Sequence, residues 1–390
     1  MKKIGNLGNL DSLQHGITNK EHKINILGLS QKAITQYLQK TGNNEKKINM
    51  RVKQVWSWIY SQGKNSFDDM TNLSKDFRFF LNTHFSLERP VILKKQVSLD
   101  GTRKYLFKTD KMGEFETVFI PEEDRGTVCL SSQIGCTLNC SFCHTGTQKL
   151  VRNLEPFEIV GQVLAIKDDL KDWCGKKKET SKRRVSNIVI MGMGEPLYNF
   201  DNVKHGIDII MNNEGLAISR RRVTLSTSGV LPNIHRVAQE IGCLLAISLH
   251  GTTDAVRDRL VPINKKWNIA ELIKTLRQYP RLSNSERITF EYVMLSGVND
   301  SLEDAKRLVK LIQGIPAKVN LIPFNAWPGS NFSPSKPEII ETFAAYLRKA
   351  GYSSPVRKPR GNDILAACGQ LKSDSLKMKK VNAPIQNSTL

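Results

Sequence analysis

Apolar residues in the amino-terminal part of the chain recur every three to four positions, which is the spacing of one face of an α-helix. Ser30 and Ser74 stand directly before two such segments, where a serine side chain can cap the first turn. The helices predicted from this spacing are Gln31–Lys40, Arg51–Tyr60 and Lys75–Phe85. They form a small module that carries Arg51, Lys53 and Lys64, basic side chains that could contact a polyanion such as RNA. Its apolar faces could equally serve only to pack it against its neighbour.

The spacing of the apolar residues changes from helical to alternating after Pro90. Asp100-Gly101 is a strong signal for the tight turn of a β-hairpin. The strands predicted around and after this turn are Val91–Ser98, Tyr105–Phe107 and Phe115–Ile120. We therefore expect a small antiparallel sheet between the helical module and the rest of the chain.

Buried strands and amphipathic helices alternate from Arg125 onward, which is typical of βα units around a parallel sheet. The predicted strands are Thr127–Ser131, Val185–Met191, Val223–Ser226, Leu244–Ser248, Ile288–Met294 and Lys318–Pro323. The predicted helices are Glu155–Leu170, Asp201–Asn212, Leu231–Glu240, Ile269–Tyr279 and Leu302–Gln313, with Lys336–Ala350 and a strand near Pro355–Lys358 completing the domain. Six such units fit a partial, open barrel better than a closed eightfold one, so the predicted fold class is α/β.

These patterns divide the chain into five segments. Residues 1–22 are polar and rich in Asn and Gly, and are predicted to be disordered. The other segments are a helical module at 23–88, a β-hairpin extension at 89–121, the partial barrel at 122–370 and a basic tail at 371–390.

The chain carries a formal net charge of +21 over 390 residues. Basic residues occur in runs such as Arg220-Arg221-Arg222, and they outnumber acidic residues after Arg348. Such an excess favours a polyanionic partner, most simply nucleic acid, although a solvated basic surface would give the same composition.

Cysteine usage and hydropathy restrict the cellular compartment. Seven cysteines, an odd number, argue against a disulfide framework and for a reducing cytoplasm. No apolar run reaches the roughly eighteen residues of a membrane span, and Met1–Lys20 lacks the apolar segment of a secretory signal. We therefore expect a cytoplasmic protein that is not held in a membrane.

Three of the cysteines, Cys136, Cys140 and Cys143, follow the spacing Cys-x-x-x-Cys-x-x-Cys. A 4Fe–4S cluster normally has four thiolate ligands, so three would leave one iron open for a substrate or cofactor. A structural zinc site is the alternative, with His144 as the fourth ligand. Zinc ligands normally come as two spaced pairs, so the adjacency of Cys143 and His144 favours the iron–sulfur cluster.

Polar and glycine-rich segments follow the predicted barrel strands at their carboxyl ends. They are Met191–Pro196, Ser226–Gly229, Ser248–Gly251 and Pro323–Asn325. Because the active residues of parallel α/β barrels come from these ends, we expect all four segments to face the three-cysteine loop. Each segment alone is a weak signal, since Gly and Ser are common in turns for backbone reasons.

These motifs resemble those of the radical S-adenosylmethionine (SAM) superfamily, in which the three cysteines precede a glycine-rich segment, here Gly194-Glu195-Pro196. Longer motifs narrow the resemblance to one family. They are Phe115–Val118, Cys129–Cys136, Val223–Gly229, Ile247–His250, Val261–Asn264, Asn320–Asn325 and Ala367–Gln370. The chain from about Lys23 through Gln370 is similar to the dual-specificity RNA methyltransferases of the RlmN type, which methylate C2 of adenine in large-subunit rRNA and in some tRNAs.

The resemblance implies a radical SAM barrel with one 4Fe–4S cluster, and two SAM molecules used per turnover. The cluster would be bound by Cys136, Cys140 and Cys143, and His144 would not be a ligand. The open iron chelates one SAM, which the reduced cluster cleaves to a 5′-deoxyadenosyl radical. The residues that would contact SAM, by their places in the motifs, are Gly194, Glu195, Ser226, Ser248, Leu249, His250 and Asn325.

Three further residues receive catalytic roles from the resemblance. SAM methylates Cys368, and the radical then takes a hydrogen from that methyl group, which adds to adenine C2. Cys129 attacks Cys368 to form a transient disulfide and release the methylated RNA, and Glu116 is the general base that removes the C2 proton. Without the resemblance, Cys129 and Cys368 would be interpreted as buried structural cysteines, the usual fate of free cysteine.

The implied partners are 23S rRNA and tRNA, with an electron donor such as flavodoxin, and we expect a monomer. The alternative is the related Cfr type of antibiotic-resistance methyltransferase, which modifies C8 of the same adenine by similar chemistry. A non-catalytic, zinc-stabilised RNA-binding protein is a third possibility. It gives no reason for Cys129, Cys368 and Glu116 to stand in matching motifs.

Overall fold

The computed structural model describes residues 23–41, 47–173, 183–280, 282–283 and 286–373. The segment predicted to be disordered, 1–22, lies outside the described residues, as does the predicted basic tail from residue 374 onward. The first three residues of that tail are described, and the side chains of Leu371 and Ser373 are buried. In the described ranges no helix has the length and apolar character needed to cross a membrane.

The amino-terminal module is helical, as predicted. Its elements are β1 (Ile24–Asn25), α1 (Gln31–Lys40), α2 (Ile48–Trp56), α3 (Lys75–His84) and β2 (Phe85–Ser86). Both predicted serine caps are present, because Ser30 Oγ accepts from the Ala33 amide at 3.1 Å and Ser74 Oγ from the Phe77 amide at 3.4 Å. The second helix begins at Ile48 rather than Arg51, and it continues beyond Trp56 as a π-helical turn.

The predicted antiparallel sheet is present and continues directly into the barrel sheet. Its strands are β3 (Val91–Val97), β4 (Arg103–Lys108) and β5 (Glu114–Pro121), followed by β6 (Gly126–Leu130). Strand β5 pairs antiparallel with β6, which places Val118 opposite Cys129. The extension is therefore an added edge of the barrel sheet, and β5, which carries Glu116, lies directly beside the first barrel strand.

The barrel consists of parallel strands and outer helices. Its further elements are β7 (Gln133–Ile134), β8 (Arg152–Asn153), α4 (Pro156–Leu170), β9 (Asn187–Ile190), α5 (Phe200–Met211), β10 (Val223–Thr227), α6 (Leu231–Arg236), β11 (Leu244–Ser248), α7 (Asp254–Leu260), α8 (Ile269–Arg277), β12 (Ile288–Met294), α9 (Leu302–Ile312), β13 (Ala317–Pro323) and α10 (Pro337–Lys349). Among the described residues the main sheet has the order β13-β12-β11-β10-β9-β6-β5-β4-β3. Strands β6 and β9 to β13 pair in parallel, as predicted, so their carboxyl ends meet at one edge.

Two elements near this edge differ from the prediction. Helix α7 was not predicted, because its inward face is occupied by Arg257, a charged side chain that is 1% exposed and breaks the apolar pattern. The strand predicted near Pro355–Lys358 makes only isolated bridges to β13, including one from Val356 to Leu321. Proline has no amide hydrogen to donate, so Pro355 cannot extend a regular ladder.

Candidate active site

The three clustered cysteines lie in the loop that follows β7 and line one cavity. Gly135 precedes the first of them at a φ of 74°, a left-handed conformation that favours glycine. The Cys143 amide donates to the Cys140 carbonyl at 3.1 Å, so the second and third cysteines share one tight turn. The loop is fastened to α7 because the Ser141 amide donates to the Leu260 carbonyl at 3.1 Å.

The three thiols lie in surroundings that disfavour their thiolate form. Burial raises the pKa of Cys136 to about 12, and burial also raises the pKa of Cys140 and Cys143. The neighbouring thiolates and the Glu195 carboxylate raise the pKa of Cys140 further, because like charges repel at short range. An iron cluster would reverse this balance, since a coordinating thiol is deprotonated by the metal it binds. Three cysteine thiols that line one cavity are a donor set that fits an iron–sulfur cluster.

His144 is engaged away from the three thiols. Its ring stacks on Trp327 with centroids 4.6 Å apart and planes 8° from parallel, and its Nδ1 lies 3.2 Å from the Gln370 carbonyl oxygen. The contacts of His144 thus give no support to the four-ligand zinc site.

Gly194 and Glu195 line the same cavity as the cysteines, in the loop after β9. Gly194 has a φ of 101°, and a Cβ built on it would stand 2.5 Å from the Cβ of Gln133. The buried Glu195 carboxylate accepts from the Leu197 amide at 3.1 Å and from the Ser228 amide at 2.8 Å. Burial raises its pKa, which these two amide donors oppose. The carboxylate is thus held in a fixed orientation between two strand-end loops.

Four of the remaining predicted SAM contacts also line this cavity: Ser226, Ser248, His250 and Asn325. The hydroxyls of Ser226 and Ser248, on neighbouring strands, are 3.5 Å apart. His250 has a φ of 58°, and its Nδ1 accepts from the Val293 amide at 3.1 Å. Burial lowers its pKa to about 3, so the ring is neutral at physiological pH. The fifth predicted contact, Leu249, has a fully buried side chain and is not among the residues that line the cavity. Its amide donates to the Glu291 carbonyl at 3.1 Å, and its carbonyl accepts from Arg257 at 3.1 Å.

Arg257, on α7, holds the loops after β10 and β11 together. Its guanidinium donates to the carbonyl oxygens of Ser228 at 2.6 Å, Leu249 at 3.1 Å and Ser248 at 3.3 Å. It also donates to the side chain of Asn264 at 2.8 Å. A guanidinium offers five fixed donors, so one buried arginine can satisfy several loop carbonyls at once. Arg257 therefore fixes the loops that form the cavity wall, although it is not itself one of the lining residues.

Cys368 connects this cavity to a second one. It is exposed and lines both, whereas Cys129 lines only the second cavity. The Asn325 side chain donates to the Cys368 carbonyl at 3.3 Å, which places Cys368 beside the loop after β13. Burial raises the pKa of Cys129 to about 12, and the positive charge of Arg357 opposes this shift. The two thiols predicted to react with each other thus share one cavity.

Glu116 is buried beside these cavities rather than among their lining residues. One carboxylate oxygen lies 3.2 Å from Lys104 Nζ, and the other accepts from the Lys372 amide at 2.8 Å. The carboxylate is therefore covered by the segment that follows Cys368. The backbone segment that carries Cys368, the predicted methyl carrier, thus also contacts Glu116, the predicted base.

Two charged residues of the first cavity were missed in the sequence. Arg357 lines both cavities, and Glu291, a residue that is 4% exposed, lines the first. Glu291 Oε1 accepts from Asn320 at 2.9 Å, Oε2 has no hydrogen-bond partner among the described residues, and Arg357 Nη1 lies 3.9 Å from it. Arg357 was counted only as part of the basic surface. In the sequence, Glu291 could have been found as an acidic residue within a strand that was predicted to be buried.

Two family models match the chain. The model of the Radical SAM superfamily matches residues 130–311. The model of the Ribosomal RNA large subunit methyltransferase N-terminal domain matches residues 24–87, which include the helical module. The first match contains all three clustered cysteines.

Relatives are similar over almost the whole chain. Dual-specificity RNA methyltransferase RlmN from Paracoccus denitrificans (strain Pd 1222) is 60% identical over 363 residues, which are 93% of this chain and 93% of the relative. The protein of the same name from Cereibacter sphaeroides (strain ATCC 17025 / ATH 2.4.3) is 59% identical over 94% of both chains. Among solved structures, a radical SAM methyltransferase from Sphaerobacter thermophilus has a TM-score of 0.81 and 38% identity, over 90% of this chain and 99% of that chain.

Proposed function

Because the chain belongs to the RlmN family of dual-specificity RNA methyltransferases, within the radical SAM superfamily, we propose that it methylates C2 of one adenine in 23S rRNA and C2 of an adenine in tRNA anticodon loops. The family makes the chain a SAM-dependent enzyme whose cofactors are a 4Fe–4S cluster and SAM. The observation that carries the finer proposal is the position of Cys368. It is exposed between the cavity of the cluster thiols and the cavity of Cys129.

The first cavity is the proposed cofactor site. Cys136, Cys140 and Cys143 would hold the cluster, and three ligands leave one iron for SAM. The fixed carboxylate of Glu195 is suited to accept from the SAM ammonium, and the hydroxyls of Ser226 and Ser248 are suited to its ribose. When bound, the cluster and two SAM molecules supply one methyl group and one 5′-deoxyadenosyl radical.

The protein's own groups then carry the methyl group and move the proton. Adenine C2 is an electrophilic sp² carbon, so direct nucleophilic attack on the methyl group of SAM does not suit it. Cys368 carries the one-carbon unit to C2, Glu116 accepts the C2 proton, and Cys129 then attacks the Cys368 sulfur. As the S–S bond forms, the bond between that sulfur and the RNA-bound carbon breaks. Its electron pair stays on the carbon, which takes up a proton, and the methylated RNA leaves. Cys129 and Cys368 line one cavity, which supports a disulfide between them as the last step.

The net charge of +21 supports RNA as the substrate class. We propose that the helical module at 23–88 and the basic rim of the second cavity, Lys358 and Arg360, contact RNA phosphates. The enzyme would act in the cytoplasm as a monomer, where a protein such as flavodoxin supplies the electron for the cluster.

Anaerobic turnover tests the proposed function. Purified enzyme would be reconstituted with iron and sulfide, then given SAM, a reductant and an rRNA fragment or tRNA. Mass spectrometry of the digested RNA would locate the new methyl group on the adenine ring. We expect it at C2; a methyl at C8 would favour the Cfr-type alternative. A protein that holds one zinc and no iron would contradict both.

A further inference from the structure

Lys104 is a buried lysine that faces the proposed base. Strands β4 and β5 pair so that Leu106 stands opposite Glu116, and Lys104 stands opposite Val118. Lys104 and Glu116 are therefore diagonal neighbours on one face of the sheet, within reach of a long side chain. Their charged atoms are 3.2 Å apart, and the two side chains are 10% and 7% exposed.

The same ammonium group also contacts the segment that carries Cys368. Lys104 Nζ donates to the Leu365 carbonyl oxygen at 3.3 Å. On the other side of Cys368, the Lys372 amide donates to Glu116 at 2.8 Å. The Lys104–Glu116 pair thus holds the Cys368 segment both before and after the reactive cysteine.

This arrangement is unusual if its purpose is stability alone. Burying two charges is expensive, and a buried ion pair is often no better for stability than apolar residues of the same size. Other contacts already fasten the segment: Gln370 donates to the Ala326 carbonyl at 2.7 Å, and Thr145 donates to the Leu371 carbonyl at 2.6 Å. What Lys104 adds is a second connection between the segment and the Glu116 carboxylate, through the Leu365 carbonyl on the other side of Cys368 from Lys372.

We propose that Lys104 is a positioning residue, which sets the Glu116 carboxylate and the Cys368 segment in one fixed geometry for proton removal. The inference rests on the proposed roles of Glu116 and Cys368. In the step concerned, the C2–H bond breaks, its electron pair stays on the base and its proton passes to the Glu116 carboxylate. Proton uptake cancels the charge that attracts Lys104, so proton removal also weakens the hold on the Cys368 segment.

A kinetic experiment separates positioning from a general structural role. Single-turnover reactions on RNA with hydrogen or deuterium at adenine C2 would be quenched at intervals, and the covalent protein–RNA adduct measured on denaturing gels. Lys104→Met is expected to accumulate adduct and to release it about 10- to 100-fold more slowly, because a misplaced base loses a large part of its effect. The C2 deuterium isotope effect on release should increase, since proton removal then limits the rate.

Three variants serve as comparisons. Lys104→Arg keeps the charge and should recover part of the release rate, while Lys104→Gln keeps only the contact with the Leu365 carbonyl and should not. Lys108→Met removes an exposed lysine of the same strand and should behave as wild type. Wild-type release with an unchanged isotope effect in both Lys104→Met and Lys104→Gln would overturn the inference.

Hydrogen exchange gives a second readout that needs no turnover. In the protein without RNA, amide exchange over residues 366–373 should rise in Lys104→Met and in Glu116→Gln, and should be unchanged in Lys108→Met. Equal exchange in all variants would contradict the proposed hold on the Cys368 segment. If Cys129→Ala traps no covalent adduct, either alone or combined with the Lys104 variants, the proposed function is contradicted. The amide exchange experiment does not depend on the adduct and still tests whether Lys104 holds the Cys368 segment.

Discussion

At the scale of single residues, the two thiols proposed to react with each other lie in different environments. Cys368 is exposed where the two cavities meet, whereas Cys129 is partly buried in strand β6. A thiolate is the nucleophile in thiol exchange, so the exposed and the buried thiol are suited to different steps. The exposed Cys368 thiol suits the proposed role of methyl acceptor, and Cys129, which lines the second cavity together with Cys368, suits the proposed role of resolving thiol.

Removing either thiol should stop the reaction at a different point. Cys129→Ala is expected to accumulate a covalent protein–RNA species, because the group that releases it is missing. Cys368→Ala should give neither adduct nor methylated RNA. Denaturing gels with labelled RNA would measure the adduct, and Cys243→Ala, a buried cysteine outside both cavities, is the matched control. Free, unmodified RNA from Cys129→Ala would contradict the resolving role.

The pH dependence of release should follow the Cys129 thiol. Burial raises its pKa to about 12, so at neutral pH the thiol is protonated and the reactive thiolate is a small fraction. As long as the pH is below the pKa, the thiolate fraction grows about tenfold for each unit by which the pH rises. Release should therefore accelerate with rising pH wherever this step limits the rate. Arg357→Met removes the charge that lowers this pKa and should slow release at each pH. Quenched assays between about pH 7 and 9, a range around the ordinary pKa of a cysteine thiol, would measure the release rates of the wild type and of Arg357→Met. A release rate that does not change with pH would count against Cys129 as the nucleophile.

At the scale of elements, the sequence was most informative where a local pattern decides the structure. Helix α1 has the predicted bounds because its apolar face and its Ser30 cap lie within a few residues of each other. Helix α7 was missed because Arg257 interrupts its inner face. The cover of Glu116 by the Lys372 amide could not be predicted either, since the two residues are 256 positions apart and no periodic pattern links them.

The loop after β9 gives a prediction for one backbone position. Gly194→Ala would place a methyl group 2.5 Å from Gln133 Cβ, at a φ of 101° that side chains rarely adopt. Gln133 also accepts from the Glu195 amide at 2.9 Å, so relief of the clash should displace Glu195. We expect a strain of about 1–3 kcal/mol and a SAM affinity reduced about tenfold or more, measured by calorimetry and thermal melting.

Gly314→Ala is the matched control for that variant. Gly314 has a φ of 81° and no heavy atom within 4 Å of its built Cβ, so it shares the backbone strain without the clash. It should lower the melting temperature while SAM affinity stays unchanged. Equal SAM affinity in the two variants would show that the loop after β9 does not shape the cofactor site.

At the scale of the whole molecule, the fold divides the basic residues between two ends of the barrel sheet. The run Arg220-Arg221-Arg222 is exposed directly before β10, at the amino end of that strand. Lys358 is exposed at the rim of the second cavity, on the side where the strands end and Cys368 lies. The sequence could give the amount of charge but not its placement, because the placement depends on strand direction.

RNA binding should therefore depend more on basic residues at the carboxyl ends of the barrel strands, where Lys358 lies, than on those at the amino ends. Phosphate contacts release counterions, so the affinity for an rRNA fragment should fall steeply as salt increases. Lys358→Ala should reduce the slope of log affinity against log salt by about one, whereas Arg222→Ala should leave it unchanged. Fluorescence anisotropy at several salt concentrations would measure both slopes. An equal loss from Arg222→Ala would mean that RNA wraps around the amino end of the sheet as well, and a flat salt dependence in the wild type would make the net charge incidental to binding.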